Sequence, residues 1–342
     1  MKFLVSAFGN RYAGMLITNL ESIERSNPAA GIEVYYQDLP DGFLESASRA
    51  YPRVRFVETN FDFSNDPIQR ISSKTLTWEY ACRQQRSGDL LAFVDVDTIV
   101  VKDISAFLCS DDIDLVFTWK DETFQLNSGV LLAAAGNACR NFFQEWLRRT
   151  REVLQTPHLY AQANSSDLPY GGGDQMALHQ ILNYRLGEPR YEVPIGATVV
   201  RFRAEPCAVL NETNSGPIRA TTHIIHYKGG WQHILLDGKP FSRHRPRLAC
   251  GEMYQLYLAT FQAALGRLNS AGRRVWTPGE LGIAVPRYTH VKPGLLREIL
   301  YAAVVARHWP RAVVNWTRGK ASLTIRWLAR NRGRVAPKSE CP

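Results

Sequence analysis

Asp95-Val96-Asp97 closes the apolar run Leu90-Leu91-Ala92-Phe93-Val94. In a strand, residues i and i+2 share a side, so both carboxylates emerge together at the exposed carboxyl end of a buried strand. Two hard oxygen ligands at that place suit a divalent cation, which would share its remaining positions with substrate phosphates. The chemistry this predicts is the handling of a nucleotide phosphate.

Three later groups carry polar chemistry in a definite order: Asn127-Ser128-Gly129-Val130-Leu131-Leu132, Gly173-Asp174-Gln175, and His226-Tyr227-Lys228-Gly229. His226 ends the run His223-Ile224-Ile225-His226 and would complete a metal site with Asp95 and Asp97. His223 is the rival ligand, and only His226 is followed by Lys and Gly. An imidazole beside two carboxylates favours Mn²⁺ over Mg²⁺, which prefers oxygen ligands and water. Lys228 could reach the same phosphates as a point charge, and Gly229-Gly230 would let backbone approach them closely. Asp174 follows three glycines, where Asp is a favoured helix cap.

These residues need a scaffold of parallel strands joined by crossover helices, and the first half of the chain alternates accordingly. Strands are expected over 2–7, 32–37, 54–57 and 90–94, and helices over 12–25, 42–50 and 72–85. Further strands are expected over 113–118, 128–134, 198–202 and 222–227, with helices over 137–154 and from Asp174 onward. Residues 155–169 read as a polar surface excursion, and the pattern beyond Pro246 reads as helical.

The chain of 342 residues, 45% hydrophobic and 11% aromatic, has ample material for a packed core and is globular. Cys82, Cys109, Cys139, Cys207, Cys250 and Cys341 show no zinc spacing and read as reduced thiols. The opening run from Met1 to Phe8 is too brief for a signal-peptide core, and no stretch approaches the ~18 apolar residues of a membrane span. A cytoplasmic protein is therefore expected. Charge is uneven: residues 287–342 hold 12 Lys+Arg and 2 Asp+Glu, leaving 29 basic against 30 acidic residues before them.

Taken in order, the four groups resemble the nucleotide-sugar glycosyltransferases of the GT-A fold, and most closely the retaining enzymes of glycosyltransferase family 8. The resemblance covers roughly residues 1 to 245. It implies an α/β fold with a mixed, mostly parallel sheet and flanking helices, and a nucleotide-sugar donor, with UDP the expected nucleotide. Asn127 resembles the family residue that hydrogen-bonds the donor sugar, and an amide both donates and accepts. By the same resemblance Asp174 binds sugar hydroxyls and Gln175 lies near the anomeric carbon. Ala7, Asn10 and Tyr12 occupy the place where the family grips uracil and ribose, although Gly9 stands where an acidic residue is common. Lys74, with Arg70, precedes a helix that in the family runs beside the nucleotide. The family usually has Lys-Pro-Trp soon after its His-x-x-Gly, whereas this chain has Trp231 early and Lys239-Pro240-Phe241 later. Either Lys228 or Lys239 is thus the diphosphate contact.

The expected organisation is a catalytic domain over 1–268, with its nucleotide-binding half at 1–110 and its acceptor and donor-sugar half at 111–268. A linker over 269–293 and a basic amphipathic helical tail over 294–342 follow. The tail interleaves Leu295, Ile299, Trp309, Trp316 and Trp327 with Arg297, Arg307, Arg311, Arg318 and Arg326, a pattern that suits an anionic membrane surface. No nucleic-acid module accompanies it. The reading is a metal-dependent transferase acting on a glycan or lipid-linked acceptor. The alternatives are an inverting transferase with Asp174 as base, a nucleotidyltransferase, and a membrane-associated glycan-binding protein without catalysis.

Overall fold

Alternate residues of the run before the acidic pair enter two different cores: Ala92 and Val94 one, Leu91 and Phe93 the other. The run is therefore a central strand covered on both faces, which is why it reads as continuously apolar. The computed structural model describes residues 1–63, 66–108, 112–120, 125–164, 172–182, 190–213, 217–238 and 252–284. The basic tail and Lys239 lie outside the described residues.

The chain opens with β1 (Lys2–Phe8), a 3-10 turn over Asn10–Tyr12 and α1 (Ala13–Ser26). Then come β2 (Gly31–Gln37), α2 (Phe43–Ala50), β3 (Val54–Glu58), α3 (Pro67–Ser72), α4 (Lys74–Arg83), β4 (Leu90–Asp95) and a short β5 (Thr98–Val100). The second half holds β6 (Leu115–Lys120), β7 (Gln125–Ala134), α5 (Asn137–Gln155), α6 (Pro157–Asn164), α7 (Gly173–Leu182), β8 (Arg190–Ile195) and β9 (Thr198–Pro206). It closes with α8 (Cys207–Leu210), β10 (Ile224–His226), α9 (Gly230–Leu235) and α10 (Glu252–Ala271).

Among the described residues the main sheet runs β3-β2-β1-β4-β7-β6-β9-β8. β1 to β4 are mutually parallel where they pair, whereas β7 is antiparallel to both β4 and β6. One face is covered by α1, α2 and α10 through Leu16, Leu20, Phe43, Tyr254 and Phe261. The other is covered by α4, α5 and α7 through Trp78, Phe142, Phe143, Trp146 and Leu178. The fold is thus the mixed, mostly parallel α/β sheet with flanking helices that the sequence predicts.

Some boundaries differ from expectation for local reasons. The helix expected over 72–85 is α4, and the short α3 precedes it, the two parted at Ser73, whose hydroxyl bonds back to the Gln69 carbonyl at 2.7 Å. Part of the excursion expected over 155–169 is α6, which starts with Pro157 and buries Ala163. β8 was hidden in the sequence because it is an exposed edge with an alternating, charged pattern and Pro194.

The stretch expected as a linker over 269–293 is described as far as residue 284, and there Trp276, Leu281 and Ile283 are buried in the core. Leu281 accepts a backbone bond from Gly14 at 2.8 Å. Gly282 has φ +75, and a Cβ there would lie 2.2 Å from the Arg11 carbonyl oxygen. This segment therefore buttresses the turn between β1 and α1. Among the described residues no helix is long and apolar enough to cross a membrane.

Candidate active site

Sheet pairing brings the acidic pair to its partners. Val94 pairs with Val130, so Asp95 ends its strand beside Gly129. The β6–β7 register shifts between Phe117 and Thr118, passing from a Phe117–Leu131 pair to a Thr118–Asn127 pair. That irregularity re-aims Asn127, Ser128 and Gly129 toward the sheet's carboxyl edge, a common use of a bulge. A second ribbon adds the histidine: β10 pairs with β5 so that His226 faces Thr98, one residue past Asp97.

One ligand atom from each of Asp95, Asp97 and His226 lies within 4.8 Å of the others. His226 Nε2 is 3.0 Å from Asp97 Oδ1 and 3.6 Å from Asp95 Oδ2. The imidazole is held on its other side by the Asn211 Oδ1, 2.9 Å from Nδ1. Asn211 donates its amide N–H to Thr118 Oγ1 at 2.8 Å, which fixes the orientation of that amide. Nδ1 therefore carries a proton, and Nε2 is the ring nitrogen that faces the two carboxylates.

The outer contacts fit a metal too. Gln232 donates to Asp97 Oδ2 at 2.9 Å, leaving Oδ1 on the histidine side. Asp97 is 7% exposed, yet its carboxyl is held down at about 2. Burial works against ionisation there, and His226, the Gln232 hydrogen bond and Lys74 outweigh it. Burial pushes the Asp95 carboxyl up, against the pull of Lys74 and His226. Gly129 completes the cradle: a Cβ there would lie 2.2 Å from His226 Cε1 and 3.2 Å from Asp95 Oδ2. Only a residue without a side chain lets the ring sit against this backbone. A hard oxygen pair beside one oriented imidazole could hold a divalent cation.

Lys74 ties this cluster to the next one. Its Nζ lies 3.2 Å from Asp95 Oδ2, 3.4 Å from Asp174 Oδ2 and 3.2 Å from the Ser128 carbonyl. Burial opposes its charge, and the two carboxylates raise its pKa nonetheless. Ser128 donates its hydroxyl to Asp174 Oδ2 at 2.8 Å and its backbone N–H to Gln175 Oε1 at 3.3 Å. Asp174 is 2% exposed at the start of α7, and Trp146 Nε1 donates to its carbonyl at 2.8 Å. Asn127 accepts the Gly129 N–H on Oδ1 at 3.1 Å, and its buried Nδ2 has no partner among the described residues. A buried amide donor without a partner costs free energy, which a ligand oxygen would recover.

A cavity of about 570 Å³ opens beside the cluster, lined by Asp95, Asp97, Lys74, Gln232, Asn10 and Tyr12 among others. Ser6 and Phe8 reach its wall, whereas the Ala7 side chain between them is buried in the core. Burial, with Asp97 nearby, raises the Tyr12 pKa. Lys228 is half-buried, and burial with Lys120 and Lys74 nearby brings its pKa down to about 7. Gly229 has φ +60 and caps α9. The rival His223 is turned elsewhere: its Nδ1 sits 2.7 Å from the Asp103 carbonyl, and its ring packs on Phe107.

Sequence reasoning missed Asn211, Thr118 and Gln232 as orienting residues. Each is a single polar residue in a short or irregular element, so no periodicity marks it. Ser128 is visible in the sequence only as part of a motif, and its hydroxyl joins Lys74's partner Asp174 to the strand.

No protein-family profile and no curated protein sequence matches the chain. Among solved structures, it is similar to the glycosyltransferase GlyE of Streptococcus pneumoniae TIGR4, at 12% identity and TM-score 0.50. That match covers 81% of this chain and 66% of GlyE, so the chain spans just under two thirds of that protein's length. The galactosyltransferase LgtC, solved with donor and acceptor sugar analogues, gives 14% identity, coverage of 77% and 96%, and TM-score 0.49. The likeness to GlyE is one of fold.

Proposed function

We propose that the protein is a metal-dependent glycosyltransferase of the family 8 kind, which moves a sugar from a nucleoside diphosphate, with UDP the expected nucleotide, to a hydroxyl of a glycan or lipid-linked acceptor. The observation that carries this reading is the convergence of Asp95, Asp97 and an oriented His226 Nε2 at the edge of a cavity of about 570 Å³. These three residues would hold Mn²⁺ or Mg²⁺. Once bound, the ion supplies Lewis-acid stabilisation of the departing diphosphate.

The chain's own residues do the rest. Asn10 and Tyr12 on the cavity wall bind the nucleoside, and Lys74 stands within reach of phosphate and sugar alike because it bridges Asp95 and Asp174. Asn127 offers its unpartnered Nδ2 to a sugar oxygen. Asp174, with Ser128 and Lys74 already on its carboxylate, positions sugar hydroxyls. Lys228 and the backbone at Gly229 close on the diphosphate.

Transfer with retention is the reading the burial favours. An inverting enzyme needs a carboxylate base beside the acceptor hydroxyl, and Asp174 is 2% exposed and paired with a lysine. Gln175, 7% exposed, accepts from the Ser128 backbone and lends a neutral oxygen beside the reacting carbon.

The test is release of nucleotide from a panel of nucleotide sugars, with and without candidate acceptor glycans, in Mn²⁺ or in EDTA. Release from at least one donor in Mn²⁺ and none in EDTA is expected. Equal release in EDTA would remove the metal from the account, and no release from any donor would remove the activity.

A further inference from the structure

The cavity wall carries a second charged pair, Asp38 and Arg70, apart from the metal ligands. Asp38 follows the last residue of β2 and has φ +56, the left-handed region that among side chains mainly Asn and Asp adopt. Surrounding contacts hold this turn. Here they are visible: Gly9 N–H donates to the Gln37 carbonyl at 2.9 Å. The Gln37 amide pairs twice with the Phe61 backbone, donating to its carbonyl at 3.2 Å and accepting its N–H at 3.1 Å. Asp38 is thus presented on a built turn.

Arg70, on α3, brings Nη2 to 3.9 Å from Asp38 Oδ2. That is too long for a hydrogen bond. Among the described residues no hydrogen bond engages either side chain, so the two groups sit side by side with acceptors and donors to offer. The neighbouring cation Arg11 differs, since it is ion-paired with Asp237. Beside the pair, Phe8 lines the cavity and packs on Phe63 with ring centroids 4.6 Å apart, giving an apolar ring surface. A carboxylate, a guanidinium and an aromatic wall together suit a planar heterocycle that stacks and hydrogen-bonds along one edge.

We propose that Asp38 and Arg70 read the nucleobase of the donor, Asp38 accepting a ring N–H and Arg70 donating to the adjacent ring carbonyl, so that the base is a lactam: uracil or guanine. The inference rests on the nucleotide-sugar reading above. Uracil places its ring N–H between two carbonyls, so Arg70 finds an acceptor on either side. Guanine offers its ring N–H and amino group to one carboxylate and its carbonyl and N7 to one guanidinium. Adenine and cytosine carry a lone pair at the central ring position, and a carboxylate facing it is repelled.

The experiment is calorimetric titration of the full chain in Mn²⁺ with UDP, GDP, ADP, CDP and inorganic pyrophosphate. UDP or GDP should bind about tenfold or more tighter than ADP and CDP, the scale of one good bidentate edge contact. Whichever of the two binds more tightly identifies the base. In Asp38→Ala and Arg70→Ala the preference should shrink to within about threefold, with pyrophosphate affinity unchanged. Preference retained in both variants, or absent from the unaltered chain, overturns the proposal and leaves the transferase reading standing. Weaker pyrophosphate binding in Arg70→Ala would assign that residue to phosphate and overturn its part. If none of the nucleotides binds, both readings fail together.

Discussion

Gly129→Ala is expected to weaken metal binding about a hundredfold or more while the chain still folds. A methyl at that position would lie 2.2 Å from His226 Cε1 and 2.4 Å from Nδ1, where ordinary contacts between such atoms begin beyond about 3.4 Å. The ring must therefore move by more than an ångström or so, and metal ligation tolerates only about 0.2 Å. The movement also breaks the 2.9 Å contact to Asn211 that sets the tautomer. Loss of orienting contacts alone costs roughly 10- to 100-fold in metal affinity, so the combined effect should reach the upper end of that range or exceed it. Overpacking adds about 1 to 3 kcal/mol of destabilisation. Circular dichroism and urea denaturation should report a folded, mildly weakened protein. Unaltered Mn²⁺ affinity in this variant would mean that His226 is not a ligand.

Asp97→Ala should lower nucleotide release at least about a hundredfold, since an ion at the leaving group is worth several kcal/mol of transition-state stabilisation. Asp97 would offer Oδ1 to the ion, its Oδ2 is held by Gln232, and its carbonyl accepts the Tyr227 N–H at 2.7 Å. The substitution removes the first two and spares the backbone contact, so the strand ends stay in register. Stability should change with pH in a defined direction. Because folding lowers this carboxyl to about 2, its contribution is present above the ordinary carboxylate pKa and is lost as pH falls through about 2. The unaltered chain should therefore lose its stability advantage over the variant in acid. Turnover in Asp97→Ala within about threefold of the unaltered chain would contradict the role given to this residue.

Much of this site was legible in the sequence because its parts sit at strand ends. The run Leu90 to Val94 announces a buried strand, and the strand delivers Asp95 and Asp97 to the sheet's carboxyl edge. The glycine of Asn127-Ser128-Gly129 was visible as a motif, but its reason was not: it makes room for an imidazole almost a hundred residues later, a contact only tertiary structure discloses. His226 ends β10 beside the two carboxylates, whereas His223, just before that strand, faces the Asp103 carbonyl, a difference of surroundings that the sequence does not display. Lys74 was read as a possible phosphate contact, whereas its bridge between Asp95 and Asp174 depends on a helix break at Ser73 that no periodicity reveals. Asn211 and Gln232 were invisible because orienting a ligand requires one polar atom in the right place and leaves no repeat in the chain. Asp38 was missed because a positive φ on an aspartate leaves no mark in the sequence.

The central claim is that Asp95, Asp97 and His226 hold a divalent cation against a nucleoside diphosphate. A Mn²⁺ titration followed by the electron paramagnetic resonance of the free ion tests it most directly. The account predicts stoichiometric uptake by the full chain, tightened by UDP or GDP and lost in Asp97→Ala. No uptake by the unaltered chain, or equal uptake by that variant, would contradict it.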